Sequence, residues 1–104
     1  MMTTVTARHC EITDLLRERA ISIMDRLEHF SPHTLESQVV FDLVPEGHQA
    51  EVRLHVRRGQ VLVGSAVGPD HRTALDRAED KVRRQLERST TQARRDRRVA
   101  SIRQ

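Results

Sequence analysis

A strict two-residue alternation over residues 50–57 constrains the fold of this chain more than any other feature. Four apolar residues alternate with four polar ones, in the order Ala50, Glu51, Val52, Arg53, Leu54, His55, Val56 and Arg57. Successive side chains of a strand point to opposite faces, so this strand has one apolar and one polar face. The sheet that contains it therefore needs a core on one side only.

Three further segments are predicted to be strands. Residues 3–8 are rich in β-branched residues and stop near His9. Residues 38–43 alternate again and end at the turn-forming 45–47. The apolar side of this second segment consists of Val39, Phe41 and Leu43. Residues 60–67 form an apolar run that is expected to pair back on 50–57 as a hairpin, through a tight turn at Arg58-Gly59.

Two helices are predicted, over 14–30 and from 71 to at least 88. Thr13 and Asp70 stand directly before them and are suitable N-caps. The first helix carries apolar residues at helical spacing up to the break at 31–32, namely Ile12, Leu16, Ala20, Ile23, Leu27 and Phe30. The second carries a narrow apolar stripe of Leu75, Ala78, Val82 and Leu86, which is enough to lie against a sheet.

The element order β-α-β-β-β-α predicts an α+β two-layer sandwich, with both helices on one face of a four-stranded, mostly antiparallel sheet. Residues 1–88 are assigned to this domain, and 89–104 to a basic C-terminal tail or a frayed extension of the second helix. The core must be aliphatic, because the 104 residues include no Trp, no Tyr and only two Phe. Gly64, inside the fourth strand, is compatible with a close backbone approach, a bulge or simple tolerance.

The charge is unevenly distributed along the chain. Residues 1–80 carry 9 basic and 13 acidic side chains, whereas 81–104 carry 9 basic and 2 acidic ones, so the net charge changes from −4 to +7. Arginine supplies 17 of the 18 basic residues, and its planar fork matches phosphate oxygens. Such a block favours a nucleic acid or an acidic surface as partner, and a solvated tail is the alternative.

Part of this charge lies on one side of the second helix. At 100° per residue, four cations fall within about 60° of one another on the side away from the apolar stripe. They are Arg77, Lys81, Arg84 and Arg88, called here the basic row. Like charges on adjoining turns repel, so folding alone gives little reason to align them, whereas a polyanion does. The alternative is an ordinary solvated face that Asp80 and Glu87 partly neutralise. Arg95, in the tail, is a further candidate for contacting the polyanion.

Other classes of function are disfavoured. The scarcity of aromatic residues excludes a platform on which the bases of single-stranded nucleic acid could stack. The sequence shows no targeting leader and no apolar segment long enough to span a membrane. We therefore expect a cytoplasmic protein with no membrane partner. Cys10 is the only cysteine, and neighbours in a strand point to opposite faces, so His9 is poorly placed to activate it. Of the six histidines only His29 and His33 have helical i, i+4 spacing, and Pro32 separates them. We expect no catalysis, metal, cofactor or small-molecule substrate.

Two motifs connect these elements to a known family. Residues 5–17, V-T-A-R-H-C-E-I-T-D-L-L-R, follow the pattern I-T-G-R-H-x-E-x-T-x-A-L-R. The pattern D-x-Y-x-A-I-D-x-x-x-x-K-L-x-x-Q-L-x-K is met without a gap by Asp70, Ala74, Leu75, Asp76, Lys81, Val82, Gln85, Leu86 and Arg88. With three strands between them, the motifs cover about 3–88. The chain thus resembles the ribosome hibernation promoting factors, also called ribosome-associated inhibitors or sigma-54 modulation proteins.

The resemblance implies a β-α-β-β-β-α protein that binds the small ribosomal subunit and its rRNA in the channel between head and body. Occupancy of the tRNA and mRNA sites there silences translation. Long members add a domain that pairs ribosomes, and this chain looks like a short form, with whole ribosomes and ribosome dimers as further candidate partners. A generic RNA- or DNA-binding module, or a modulator that docks on another protein, is the alternative, and a self-associating structural protein is a third.

The resemblance also carries site residues over by position. Lys81 and Arg88 match basic residues of the second motif, Arg8 matches the first motif, and Arg26 stands where the family often has lysine. Arg77 and Arg84 extend the row by helical arithmetic alone. Besides Ala7 for glycine and Leu15 for alanine in the first motif, the chain departs from the family pattern at Ile23 for lysine, His29 for a basic residue and Arg72 for tyrosine. Ile23 either widens the core stripe or leaves an apolar spot at its rim.

Overall fold

The structure, a computed structural model, describes residues 2–30 and 34–102, with side chains described up to Arg88 except those of Phe30 and Arg58. The elements are β1 (Met2–Arg8), α1 (Asp14–Phe30), β2 (Thr34–Val44), β3 (Gly47–Val56), a 3-10 turn (Arg57–Gly59), β4 (Val61–Gly68) and α2 (His71–Ile102). This order confirms the predicted α+β class.

The four strands form one mixed sheet in the order β1-β2-β3-β4. β1 runs parallel to β2, with Val5 opposite Val39, and the other two pairs are antiparallel. Val52, in the alternating segment, lies between Val39 of β2 and Gly64 of β4. The first and last strands in the chain are therefore the two edges of the sheet.

Both helices pack on the same face of the sheet, as expected. The strands contribute Val39, Phe41, Ala50, Val52, Leu54, Leu62 and Ala66 to the core, and α2 contributes Ala74, Leu75, Ala78, Val82 and Leu86. From α1 come Ala20, Ile23, Met24 and Leu27. Ile23 is 2% exposed, so it widens the core stripe, and Met24 belongs to the core although the predicted stripe omitted it. The side chain of Phe30, predicted to join this stripe, lies outside the described residues.

The two predicted N-caps are confirmed. The Thr13 hydroxyl accepts a hydrogen bond from the Leu16 amide at 3.1 Å. The Asp70 carboxylate accepts one from the Thr73 amide at 2.7 Å, and this bond, the largest of several causes, holds the pKa of Asp70 below its ordinary value. Each cap satisfies amides that would otherwise lack a partner at the start of a helix.

The second strand differs from the prediction at both ends. β2 begins at Thr34 rather than near 38, and it buries Ser37, whose hydroxyl shares a 2.9 Å hydrogen bond with that of Thr3 on β1. Leu43, predicted for the apolar side, is 45% exposed. The reason is that α2 begins at His71, whose ring packs on Phe41, so Leu43 lies beyond the start of the helix.

The second helix is longer than the predicted minimum, because its backbone continues through Ile102. The division of the chain at residue 88 stays a prediction. Over the part of the chain that is described, neither helix combines the length and the apolar character needed to cross a membrane.

Candidate nucleic-acid interface

Gly64 allows α2 to lie unusually close to the edge strand β4. A Cβ placed on this glycine would be 2.5 Å from the carbonyl oxygen of Ala78 and 2.9 Å from Cγ2 of Val82. Real Cβ atoms do not approach other atoms so closely, so any side chain at 64 would push the helix outward. Of the alternatives that the sequence left open for Gly64, the structure shows the close backbone approach.

At this short separation, three side chains of α2 reach the outer backbone of β4. Arg77 Nη1 donates to the carbonyl of Val67 at 2.9 Å, and Lys81 Nζ donates to that of Ser65 at 2.6 Å. Gln85 Nε2 continues the series, donating to the carbonyl of Val63 at 2.7 Å. We call these three donors and their acceptors the α2–β4 seam. The seam occupies the carbonyls that an edge strand would otherwise offer to another chain.

Helix and strand geometry explain why the seam repeats. The donors are four residues apart in α2 and the acceptors two residues apart in β4. Four helical residues advance about 6.0 Å, and two strand residues about 6.8 Å, so each helical step meets the next outward carbonyl.

The basic row thus has two different parts. Arg77 and Lys81 donate to neutral carbonyls, which fix their positions without neutralising their charge. Arg84 forms a 2.9 Å ion pair with Asp80, but the two side chains are 66% and 51% exposed. The side chain of Arg88 is exposed and makes no hydrogen bond or ion pair with another residue that the structure describes. Exposed pairs contribute only about 0–1 kcal/mol, so Arg84 can exchange Asp80 for a phosphate at little cost.

The opposite flank of α2, which faces α1, is neutralised. Asp76 accepts a 2.9 Å hydrogen bond from Arg19 of α1, linking the two helices. One turn further, Glu79 is 8% exposed and bonded to Arg83. Carboxylates therefore balance the cations between the helices, whereas the β4 side of α2 keeps its positive charge.

Two of the other candidate residues, Arg8 and Arg26, do not join the basic row. Arg8 follows Ala7 at the end of β1 and lies exposed on the sheet face opposite the helices. Arg26 is exposed seven residues after Arg19, so it lies on the flank of α1 that faces α2. The side chain of Arg95 lies outside the described residues.

The departures from the family pattern at residues 23, 29 and 72 have different consequences. Ile23 is part of the core and so is withdrawn from any surface contact. His29 is exposed at the end of α1, and Arg72 is exposed in the first turn of α2, where it adds a cation.

The end of β1 shows no nucleophile–base pair. His9 adopts a left-handed backbone with φ 56°, and its Nδ1 donates to the Asp42 carboxylate at 3.0 Å. This bond is the main reason that the pKa of Asp42 lies below its ordinary value. Cys10 is half-buried and packs against the core. Among the residues described, no group of three or more His, Cys, Asp or Glu side chains is placed to hold a metal ion.

Sequence reasoning missed several of these contacts. Gln85 is neutral and was used only as a motif match, although it completes the seam. The signal in the sequence was that Gln85 follows Lys81 by four residues in a helix that packs on the sheet. The outward carbonyls of an edge strand recur every second residue, so the next donor of the helix meets the next carbonyl. Arg17, whose Nη1 donates to the Val5 carbonyl at 3.1 Å, was likewise missed on α1.

Comparison with known proteins agrees with this architecture. The ribosome hibernation promoting factor of Escherichia coli K12 is 33% identical over 86 residues, which are 83% of this chain and 90% of that protein. The factor of the same name from Salmonella typhimurium is 33% identical over 88 residues, 85% of this chain and 92% of that protein.

Solved structures show the same fold. A ribosomal subunit interface protein from Coxiella burnetii superposes with a TM-score of 0.79 at 16% identity, covering 88% of this chain and 99% of that one. The N-terminal domain of Thermus thermophilus Protein Y superposes with a TM-score of 0.71 at 27% identity, covering 82% and 93%. The family model described as sigma 54 modulation protein / S30EA ribosomal protein matches residues 3–94, and the chain therefore belongs to this family.

Proposed function

We propose that this protein binds the small ribosomal subunit and its rRNA through the basic row of α2 and silences translation by occupancy, without making or breaking a bond. Its relatives of 33% identity are named ribosome hibernation promoting factors, which supports a role in ribosome hibernation. The observation that carries the proposal is the row of four cations along the β4 side of α2, in which Arg77 and Lys81 donate to neutral carbonyls and Arg84 has only an exposed ion pair.

The seam prepares this surface for phosphate. Arg77 and Lys81 are held by backbone carbonyls, so less side-chain freedom is lost when a phosphate binds their remaining donors. Each cation that contacts a phosphate releases condensed counterions, which makes affinity depend steeply on salt. Arg77 and Lys81 therefore offer a phosphate both a positive charge and a side chain whose position is already fixed.

Recognition should follow the shape and backbone of RNA rather than base identity. Phe41 is fully buried in the core and so is withheld from stacking on bases. Arginine and lysine on a helix contact phosphates, which carry no sequence information by themselves. A folded RNA particle with a fixed phosphate arrangement suits such a rigid row better than a flexible single strand.

The placement of Arg8 supports a partner that encloses the domain. Arg8 lies on the sheet face opposite the helices, so it and the basic row cannot both touch one flat surface. The channel between head and body of the small subunit, where tRNA and mRNA bind, offers phosphates on more than one side. In this arrangement Arg8 and Arg26 make secondary contacts, and Arg95 extends the contact along α2. Whole ribosomes and ribosome dimers present the same channel.

Co-sedimentation tests the proposal. Purified protein is pelleted with small subunits, large subunits and whole ribosomes at about 0.1 M and about 0.5 M salt, beside a duplex RNA control. We expect stoichiometric pelleting with small subunits and whole ribosomes at low salt, loss at high salt, and weak binding to the duplex. Equal binding to all RNA would instead favour the generic RNA-binding module.

Charge reversal tests the surface itself. Lys81→Glu with Arg84→Glu should abolish ribosome association, but Lys81 also donates to Ser65, so this variant loses a seam contact as well. Arg84→Glu with Arg88→Glu reverses the same charge and leaves the seam intact. Arg57→Glu, which reverses an exposed cation in the 3-10 turn outside the helices, is the control and should bind normally. Retained binding by both helix variants would refute the assignment of the basic row.

A further inference from the structure

His9, the residue that follows β1, is held in an unusual conformation. Its backbone is left-handed, with φ 56°, which a residue with a side chain seldom adopts unless its surroundings hold it there. Its Nδ1 lies 3.0 Å from the Asp42 carboxylate, whereas the side chain as a whole is 79% exposed. Nε2 makes no hydrogen bond with another residue in the described part of the chain. The imidazole is therefore fixed through one nitrogen and offers the other to a ligand.

Asp42, which holds the ring, is itself fixed from two sides. Its carboxylate, 22% exposed, accepts a 2.8 Å hydrogen bond from the Leu43 amide. Its carbonyl lies 2.9 Å from Nε2 of His71, and because a carbonyl only accepts, the imidazole of His71 is the donor. The position of the His9 ring is thus set before any ligand binds.

The carboxylate also determines which nitrogen of His9 carries the proton. An ionised carboxylate only accepts hydrogen bonds, so Nδ1 is the donor, and Nε2 of the neutral ring is left as an acceptor that repels phosphate oxygens. Protonation of the ring turns Nε2 into a donor and adds a positive charge. Arg8 lies opposite Asp42 in the β1–β2 register, so these two charges balance each other while the ring is neutral. The protonated ring gives the three side chains one net positive charge.

We propose that His9, oriented by Asp42, binds a phosphate of the RNA backbone beside Arg8, and that it does so only when its ring is protonated. The inference rests on the proposed function, in which Arg8 makes a secondary contact with rRNA. Nε2 would donate a charge-assisted hydrogen bond, which is shorter and stronger than a neutral one. Association with the small subunit should therefore tighten as the pH falls through the range in which imidazole titrates, around pH 6.5.

Other charged and titratable groups lie at the same end of the sheet. Aspartate, glutamate and arginine keep their charge between about pH 5.8 and about pH 7.5, so they contribute a constant background. Histidine titrates in this range, and the rings of His48 and His71 are in edge contact with centroids 4.7 Å apart, so substitution must distinguish them from His9. The groups are Cys10, Glu11 and Asp14 between β1 and the first turn of α1, Glu46 and His48 around the β2–β3 turn, and Asp70, His71 and Arg72 at the start of α2.

Co-sedimentation with small subunits at two pH values provides the test. Affinity is measured at about pH 5.8 and about pH 7.5 at one ionic strength, because salt changes affinity independently. We expect wild type to bind about fivefold more tightly at the lower pH. His9→Asn should bind equally at both, since asparagine tolerates a left-handed backbone and can donate to Asp42 but does not titrate. His48→Gln and His55→Gln, which replace a histidine at the near end and one at the far end of β3, should keep the wild-type ratio.

Asp42→Asn tests whether the carboxylate positions the ring. The amide of asparagine can donate as well as accept, so it permits the neutral ring that carries its proton on Nε2, and it also removes a negative charge. Both changes should strengthen binding at about pH 7.5, so the ratio between the two pH values should shrink. Loss of a merely structural contact would lower affinity equally at both.

Several outcomes would overturn the inference. They are equal affinity of wild type at the two pH values, a ratio that His9→Asn retains, and a ratio that His48→Gln abolishes. A ratio unchanged by Asp42→Asn would refute the role of the carboxylate. If wild type bound small subunits at neither pH, the proposed function would be refuted instead, and NMR of the His9 ring with duplex RNA at low salt would decide. Its resonances should shift on addition of RNA at about pH 5.8 and not at about pH 7.5, and equal behaviour at both would refute the contact.

Discussion

The two edges of the sheet solve the same physical problem differently. Each edge strand presents backbone groups with no neighbouring strand, which makes it a template for another chain. At β4 three side chains of α2 occupy alternate carbonyls, and the surface is basic. At β1 one described side chain, Arg17, reaches the backbone, through a single hydrogen bond to the Val5 carbonyl.

The difference shows how close packing and surface charge are connected. The seam exists because Gly64 lets the helix approach, and two of its three donors, Arg77 and Lys81, are cations that also form half of the basic row. Protection against strand addition and preparation for phosphate thus use the same residues. At β1 no comparable set of donors is described, so the backbone of that edge is less protected against strand addition than the backbone of β4.

Gly64→Ala should have the largest effect on the contrast between the edges. The added methyl meets the Ala78 carbonyl and a Val82 methyl, so α2 must shift away from β4. We expect unfolding free energy to fall by about 2 kcal/mol, as for other overpacked cores. Chemical denaturation measures this, and Ala66→Gly, which removes a methyl from the same strand face, is a control that should leave the seam formed. Unchanged stability with wild-type ribosome binding would contradict the close approach.

Removing the seam should make the β4 edge resemble the β1 edge. The triple variant Arg77→Ala, Lys81→Ala, Gln85→Ala loses three exposed hydrogen bonds, for which we expect about 1.5 kcal/mol in total. Its freed carbonyls should also cause concentration-dependent association in sedimentation velocity. Arg72→Ala with Arg84→Ala and Arg88→Ala removes charge without touching β4 and should stay monomeric. Association of both variants would show that charge, rather than backbone exposure, prevents it.

Removing the N-cap of α1 should destabilise the start of the helix that carries Arg17. Thr13→Ala removes the hydroxyl that caps the Leu16 amide, and the Thr13 carbonyl begins the helix by accepting from the Arg17 amide. We expect a loss of about 1 kcal/mol, measured by thermal or chemical unfolding. Thr13→Ser, which keeps a capping oxygen, should be close to wild type. If both variants lose equal stability, the effect comes from the methyl group instead.

The stability that Asp70 contributes as the N-cap of α2 should depend weakly on pH. The Thr73 amide holds the pKa of Asp70 below its ordinary value. A carboxyl with a lowered folded pKa stabilises the protein above its unfolded pKa, and this contribution is lost as the pH falls below about 4. Asp70→Asn keeps a capping oxygen but cannot titrate, so its melting temperature should fall less than that of wild type between pH 5 and pH 2.5. Parallel curves would exclude this contribution.

Much of the fold was predictable because local signals agree with it. The alternation over residues 50–57 fixed the buried face, and Thr13 and Asp70 marked both helix starts. The early start of β2 was not predictable, since the burial of Ser37 depends on a hydroxyl 34 residues away in β1. Leu43 was misplaced for a similar reason, because exposure at a strand end depends on where a distant helix begins.

The candidate site was predictable as a set of residues but not as a surface. Helical arithmetic places Arg77, Lys81, Arg84 and Arg88 on one side of α2, and the structure keeps them there. That arithmetic says nothing about the distance from helix to sheet, which Gly64 controls. The roles of Arg77 and Lys81 at the sheet edge could therefore not be read from their charge.

The spacing of the seam also limits its length. Each helical step falls short of the strand step by about 0.8 Å, so the mismatch reaches about 1.6 Å over three donors and would exceed 2 Å at a fourth. Long, rotatable side chains at 77, 81 and 85 can absorb such an error, whereas a serine or asparagine there could not. A straight helix can thus close only about three alternate carbonyls. To occupy more carbonyls of a longer edge strand, the helix would have to bend, or residues outside the helix would have to supply the additional donors.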